Sequence, residues 1–210
     1  EVGGETTPVA CELSEPSSVL ACVAQVKALG HPLSAIICNA GIMALPKLHL
    51  QHGYELQFFT NHIGHFLLVT SLLDQLADDG RVVMVSSDAH KRAPKAGIQF
   101  DNLDCNRGYH PWANYGQSKL ANHLFAKTLA ERFAGTRRTA NSLHPGVIHT
   151  NLTLSMNPIA DVALRIGAPL FLKSIPEGAA TQTYLAVHPA VASVSGKYFA
   201  DCNESHTSAH

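Results

Sequence analysis

Charge is scarce in this chain. Lys, Arg, Asp and Glu together make up 15% of its 210 residues, and 15 basic against 16 acidic groups leave a net charge of −1. That balance offers no basic field for nucleic acid; the nearest basic patch, Arg137-Arg138, is only a dipeptide. Cysteine is sparse and odd in number, and Cys11, Cys22, Cys38, Cys105 and Cys202 contain no CxxC pair. A disulfide framework or zinc ribbon is disfavoured, and free thiols in a reducing cytoplasm are expected. No apolar run approaches the roughly 18 residues of a membrane span. The start, Glu1-Val2-Gly3-Gly4-Glu5, has neither the basic nor the apolar region of a signal peptide. Internal repeats and low-complexity tracts are missing as well. What is present is apolar: 46% hydrophobic residues, enough for one well-buried core and too many for disorder. A small-molecule partner is the expectation.

Short apolar runs alternate with longer helical patterns. Strands are expected at Thr7–Leu13, Ala35–Cys38, Arg81–Val85, Thr139–Leu143 and Gly196–Ala200. Between them the periodicity predicts helices over Ser17–Leu29, Tyr54–Leu76, Ala113–Phe133 and Pro176–Val187. Strands that are apolar throughout, alternating with helices, are what a parallel sheet covered on both faces requires. The layout is βαβαβαβ in a single α/β domain, residues 1–210. In such open sheets ligands sit beyond the carboxyl ends of the strands. That rule selects Asn39–Met43, Ser86–His90 and His144–Thr150 as site-forming loops.

The sharpest feature of the sequence is Tyr115-Gly116-Gln117-Ser118-Lys119, whose i, i+4 spacing puts phenol and ammonium on one helix face. A free tyrosine, with a pKa near ~10, is a poor proton donor or acceptor at neutral pH, and a fixed cation favours the phenolate. Taken alone, the pair could equally be two surface residues four apart. Ser86-Ser87 closes an apolar strand at the expected ligand edge, where a hydroxyl can donate to a carbonyl oxygen or simply end a strand. Asn39-Ala40-Gly41 closes the strand before it, with a residue lacking Cβ where a ligand could approach. Pro145-Gly146 closes the next. Each could be an ordinary turn, but their order and placement agree with one another.

Taken together, these segments resemble the short-chain dehydrogenase/reductase superfamily over essentially the whole chain. Cys38-Asn39-Ala40-Gly41 is similar to that family's NNAG segment, with Cys in place of the first Asn. Asn61, in Asn61-His62-Ile63-Gly64-His65-Phe66, resembles the asparagine of the family's catalytic tetrad. Ser87, rather than Ser86, aligns with the tetrad serine, and Tyr115 and Lys119 complete the set. His144-Pro145-Gly146-Val147-Ile148-His149-Thr150 resembles the PG motif and the threonine that touch the nicotinamide carboxamide. Val85-Ser86-Ser87 followed by Ala89-His90, and Leu120-Ala121-Asn122 after the lysine, are similar to the retinol dehydrogenase and WW-domain oxidoreductase branch. The long spacer holding Phe100-Asp101-Asn102-Leu103 fits that branch too. The resemblance implies a Rossmann-type doubly wound sheet and hydride transfer between NAD(P) and an alcohol, aldehyde or ketone, with NADP favoured over NAD. Tyr115 would be the general acid/base, Lys119 would lower its pKa and hold the nicotinamide ribose, Ser87 would polarise the substrate oxygen, and Asn61 would hold a relay water. Cofactor contacts are implied at Glu12, Leu13, Asn39, Ala40, Gly41, Tyr115, Lys119, Pro145, Gly146, Val147 and Thr150.

The family also begins with a strand, a glycine-rich TGxxxGxG turn and a helix that cradle the pyrophosphate. The sequence from Glu1 lines up with the end of the second βα region instead, so the chain reads as lacking its first βαβ segment. Glu12-Leu13 stands where the family usually has an Asp beside the adenine. Without the first two strands, Thr7–Leu13 would have no lateral partner and the next strand an open edge. A protein starting at Glu1 is therefore expected to bind dinucleotide poorly and turn over little. Residues 151–175 fall where the family keeps its substrate lid, and their apolar character, Leu152 to Leu172, suggests a lipophilic substrate or else plain core. The long helices are the faces through which such enzymes pair as homodimers or homotetramers. Thirteen histidines do not make a metal site here, because no Cys or carboxylate set completes a group such as His62 and His65. A Ser87–His144 hydrolase lacks the GxSxG elbow. The rival reading, a dehydrogenase-like scaffold without catalysis, leaves the four tetrad residues without a purpose.

Overall fold

In the computed structural model, which describes residues 4–147 and 173–207, the continuous apolar runs assemble into one mostly parallel sheet. Helix α1 (Pro16–Ala28) leads to strand β1 (Leu33–Cys38). A small hairpin, β2 (Leu50–Gln51) and β3 (Tyr54–Glu55), precedes helix α2. That helix runs as α-helical Leu56–Phe58, a π-helical turn Phe59–Ile63 and α-helical Gly64–Leu72. Strand β4 (Leu76–Val85), helix α3 (Pro111–Arg132), β5 (Thr139–His144), helix α4 (Ile175–Val187), β6 (Tyr198–Ala200) and β7 (Asn203–Glu204) follow. The sheet order is β1-β4-β5-β6-β7, parallel except where β7 turns back antiparallel on β6.

Alternation along the central strand explains why both faces are covered. Val82 and Met84 face α1, α2 and α3, packing with Val23, Val69, Leu72, Phe125 and Leu129. Val83 and Val85 face the other way, onto Leu143, Leu185, Val191 and Phe199. A period of two sends successive side chains to opposite faces, so a strand covered on both sides has to be apolar at every position. Met84 is 0% exposed, and its truncation to Ala costs roughly 2–5 kcal/mol.

The register sets the position of the site. Cys38 lies opposite Met84, Val85 opposite Leu143, and His144 opposite Ala200. The loops leaving β1, β4 and β5 therefore emerge side by side at one sheet edge. Among the described residues, no helix is long and apolar enough to cross a membrane.

Several expectations need correction. Thr7–Leu13 forms no strand; residues 4–12 carry no ladder, and among the described residues no strand lies beside them to pair with. Helix α2 begins at Leu56, after Glu55, whose carboxylate accepts from Phe58 N at 2.9 Å and caps it. It ends at Leu72 rather than Leu76, because Leu76, 2% exposed, already belongs to β4. Helix α1 starts at Pro16 rather than Ser17, following Glu15, whose side chain makes no capping bond. Strand β6 starts at Tyr198, not Gly196. On its other edge, β1 has no partner strand among the described residues.

Candidate active site

Strand β4 ends at Val85, and the two serines after it take different roles. Ser86 is buried and donates its hydroxyl to Lys119 O at 2.7 Å, tying the strand end to α3. Ser87, in extended backbone with φ −166°, faces away from it and caps the 3-10 turn Asp88–Arg92 by accepting from Ala89 N at 3.2 Å. Its side chain also lies near enough to the Tyr115 phenol to favour the ionised form of that group. Gly116 makes this approach geometrically feasible. A Cβ there would lie 2.5 Å from Ala89 O and 2.9 Å from Ala93 N, so only glycine lets the turn lie against α3.

One helical turn on, Lys119 is 4% exposed and donates from Nζ to Val85 O at 3.0 Å; Asn122 Nδ2 reaches the same carbonyl at 3.3 Å. Nζ lies 5.7 Å from the centre of the Tyr115 ring. Burial pushes the lysine down to about 8 and the tyrosine up to about 12, the nearby Ser87 side chain opposing the second shift. Burial is the larger influence on the phenol. Desolvation penalises both charged forms, and the ammonium gives one of its donors to a carbonyl.

Asn61 sits in the π-helical turn with its side chain fully committed. Oδ1 accepts from Ile42 N at 2.8 Å, while Nδ2 donates to Ile42 O at 2.9 Å and to Ser118 Oγ at 3.0 Å. Its main-chain carbonyl accepts from His65 Nδ1 at 2.9 Å. Asn61 thus clamps the loop after β1 onto α3. Gly41 passes through that clamp, since a Cβ at this position would be 2.9 Å from Asn61 Oδ1 and 3.5 Å from Lys119 Nζ.

The remaining predicted cofactor residues divide. Asn39, Ala40, Pro145, Gly146 and Val147 lie on the loops of the same sheet edge; Asn39 Oδ1 accepts from Gln182 Nε2 at 3.4 Å, Gly146 has φ +90°, and Val147 is 54% exposed. Lys173 joins them, donating to Val147 O from its backbone at 2.9 Å and to Pro145 O from Nζ at 3.4 Å, and pairing with Asp201. Glu12 and Leu13 are employed differently. Glu12 accepts from Ser14 N at 3.0 Å and Ser14 Oγ at 2.7 Å, bonds that hold its carboxyl below the usual range. Leu13 is buried against Gly64, where a Cβ would come 2.3 Å from Leu13 O. Both residues are therefore occupied in seating the start of α1 on α2. Thr150 and the expected lid over 151–175, apart from its last three residues, lie outside the described residues.

Three neighbours of Tyr115 escaped the sequence reading. Ser118 donates to Tyr115 O at 2.8 Å and so links Asn61 to the tyrosine's own helical turn. Trp112 stands edge-on to Tyr115, ring centres 6.2 Å apart, with the Arg92 guanidinium 5.0 Å over the indole. The i, i+3 spacing of Trp112 and Tyr115 was a usable signal. The Arg92 contact crosses between elements and left none. No group of three or more His, Cys, Asp or Glu side chains able to hold a metal ion occurs among the described residues.

Comparison with known proteins agrees with this geometry. A family described as enoyl-(acyl carrier protein) reductase matches residues 1–197. The chain is 42% identical over 201 residues to the short-chain dehydrogenase TIC 32 A, chloroplastic, of Brassica napus, covering 91% of this chain and 62% of that protein. It is likewise 42% identical over 180 residues to retinol dehydrogenase 14 of Homo sapiens, covering 82% and 52% respectively. It therefore spans less than two thirds of either relative's length. The 3-alpha-hydroxysteroid dehydrogenase from Pseudomonas sp. B-0831 complexed with NADH shares the fold, with a TM-score of 0.73 at 23% identity over 90% of this chain and 79% of that one. Parallel sheet, clustered strand-end loops and sequence kinship agree: the chain belongs to the short-chain dehydrogenase/reductase superfamily, in its retinol dehydrogenase-like branch.

Proposed function

We propose that this chain is the catalytic part of an oxidoreductase that moves hydride between NAD(P) and an alcohol/carbonyl pair, with Tyr115 as the proton donor and acceptor. The observation that carries the reading is the buried Tyr115 ring with Lys119 Nζ 5.7 Å from its centre beneath the Gly41 loop, and Ser87 on the turn packed against the same helix. When bound, the dinucleotide supplies or accepts the hydride.

The residues present suit its nicotinamide ribose. Gly41 leaves open the space a side chain would fill beside Lys119, whose Nζ spends one donor on Val85 O and keeps others to offer. Asn39, Ala40, Pro145, Gly146 and Val147 border the same edge and would complete the cradle. During reduction Tyr115 gives its proton to the carbonyl oxygen, and Ser87 donates a second hydrogen bond to that oxygen, stabilising the charge that develops there. A dry pocket strengthens both interactions. The ammonium of Lys119 stabilises the phenolate left behind, an effect felt only once the phenol has lost its proton.

The substrate is proposed to be lipophilic. The Trp112 indole edge-on to Tyr115 supplies an apolar wall, the stretch from Leu152 to Leu172 is rich in Leu, Ile and Val, and the relatives include a retinol dehydrogenase. The test follows absorbance of NADPH and NADH in the full-length protein that carries this chain, against a panel of aliphatic and conjugated aldehydes and ketones. Wild type turns over, and Tyr115→Phe falls by roughly 10²–10⁴-fold. Equal rates in the two would sink the reading.

A further inference from the structure

We propose that His90 is a positioning residue for Ser87, gripping the carbonyl of that serine so that its hydroxyl meets the Tyr115 phenol; the inference rests on the oxidoreductase reading above. His90 Nδ1 lies 2.7 Å from Ser87 O, and the His90 backbone N donates to the same oxygen at 2.9 Å. A carbonyl oxygen only accepts, so Nδ1 must carry the hydrogen and the tautomer of the ring is set. Ser87 is thereby held at both ends: its carbonyl by two donors of His90, its hydroxyl by Ala89 N.

The ring is 0% exposed, which makes it a costly choice for closing an ordinary turn. A leucine of similar size would fill the space with no polar atom to desolvate, so the imidazole is favoured only if its hydrogen bond matters. The neighbours of the ring are arranged to keep it in place. Tyr198 stands edge-on at 5.0 Å and is anchored by donating to Asp88 Oδ1 at 3.3 Å. His123 lies 6.2 Å away, held through Nδ1 by Ser142 Oγ at 2.8 Å. Gly116 lets α3 approach Ala89 O and Ala93 N, on either side of His90 in the same turn. Helix α3 and strands β5 and β6 thus brace the turn that carries Ser87. His90 acts through the serine and is given no contact with substrate.

The experiment compares His90→Leu with His90→Asn, because the Asn amide nitrogen occupies the place of Nδ1 and can donate to Ser87 O, whereas Leu cannot. Two readouts are taken in the full-length protein: steady-state kinetics, and NMR of isotope-labelled tyrosine at the hydroxyl-bearing ring carbon of Tyr115, assigned with Tyr115→Phe. His90→Leu is expected to lower kcat roughly tenfold to a hundredfold with KM little changed, since an error of about 1 Å in a positioned group costs that much. It also moves the Tyr115 resonance to where Ser87→Ala puts it. His90→Asn keeps both near wild type even though its melting temperature drops, the amide oxygen being poorly satisfied among the rings. Wild-type kcat and resonance in folded His90→Leu would overturn the proposal, and so would equal losses in Leu and Asn, which mark a merely structural ring. If the resonances behave as expected while turnover ignores Tyr115→Phe, the oxidoreductase reading fails and the positioning role stands.

Discussion

Gly116→Ala is the substitution whose consequences can be worked furthest. On a helix interior alanine is the better former by about 1 kcal/mol, so helix propensity alone predicts a gain. The packing predicts the reverse. The new Cβ would meet Ala89 O at 2.5 Å and Ala93 N at 2.9 Å, both backbone atoms that cannot swing aside. Regaining ordinary contact at 3.4 Å moves the turn by close to 1 Å away from α3. Overpacking of this kind costs roughly 1–3 kcal/mol, leaving a net destabilisation of up to about 2 kcal/mol. Ser87 begins that turn, so its hydroxyl is carried off the Tyr115 phenol, and a displacement of this size costs about a hundredfold in turnover. Urea unfolding gives the first quantity, and kcat against a carbonyl substrate gives the second. A Gly116→Ala protein with wild-type kcat and stability above wild type would show that the turn does not depend on this close approach, and the account of how Ser87 is placed would fail.

Two further outcomes follow from the same site. Because burial holds Lys119 at about 8 instead of 10.5, the unfolded chain binds its proton more tightly; stability is penalised below pH 8 and recovers as pH rises toward 10.5. Lys119→Met should therefore stabilise the cofactor-free protein by up to ~3 kcal/mol at neutral pH, flatten that rise and abolish turnover; a less stable Met variant in urea titrations would contradict this. The two serines should separate. Ser86→Ala loses the buried bond to Lys119 O and costs about 1–3 kcal/mol in unfolding experiments, whereas Ser87→Ala changes stability little and lowers kcat by about a hundredfold, a contrast that equal effects would refute.

The strand-end rule and the Tyr115–Lys119 spacing made most of the site legible in advance, because both depend on periodicity that a sequence carries. Cys38, Val85 and His144 do end their strands in register, and the loops after them do share one edge. What stayed hidden was non-local. Thr7–Leu13 has the composition of a strand, yet a strand exists only with a partner, and none is present beside it among the described residues. Asp78-Asp79-Gly80 disguised the first half of β4, and no hydropathy pattern distinguishes the π-helical turn at Phe59–Ile63 from ordinary helix. Spacing reveals the charge beside Tyr115 and says nothing about how dry its surroundings are, which sets the direction of the shift here. Glu12 and Leu13 were read through the family's pattern, and their bonds to Ser14 and packing on Gly64 are local detail that the pattern does not carry.

The measurement that bears most directly on the account is isotope transfer from the cofactor. Reduced dinucleotide carrying deuterium at its hydride-bearing carbon is incubated with the full-length protein and a reactive aldehyde, and the alcohol is weighed by mass spectrometry. One deuterium on the carbinol carbon with wild type, and loss of that product in Tyr115→Phe, is the predicted result. Alcohol formed without the label, or labelled product undiminished in the Phe variant, would contradict it.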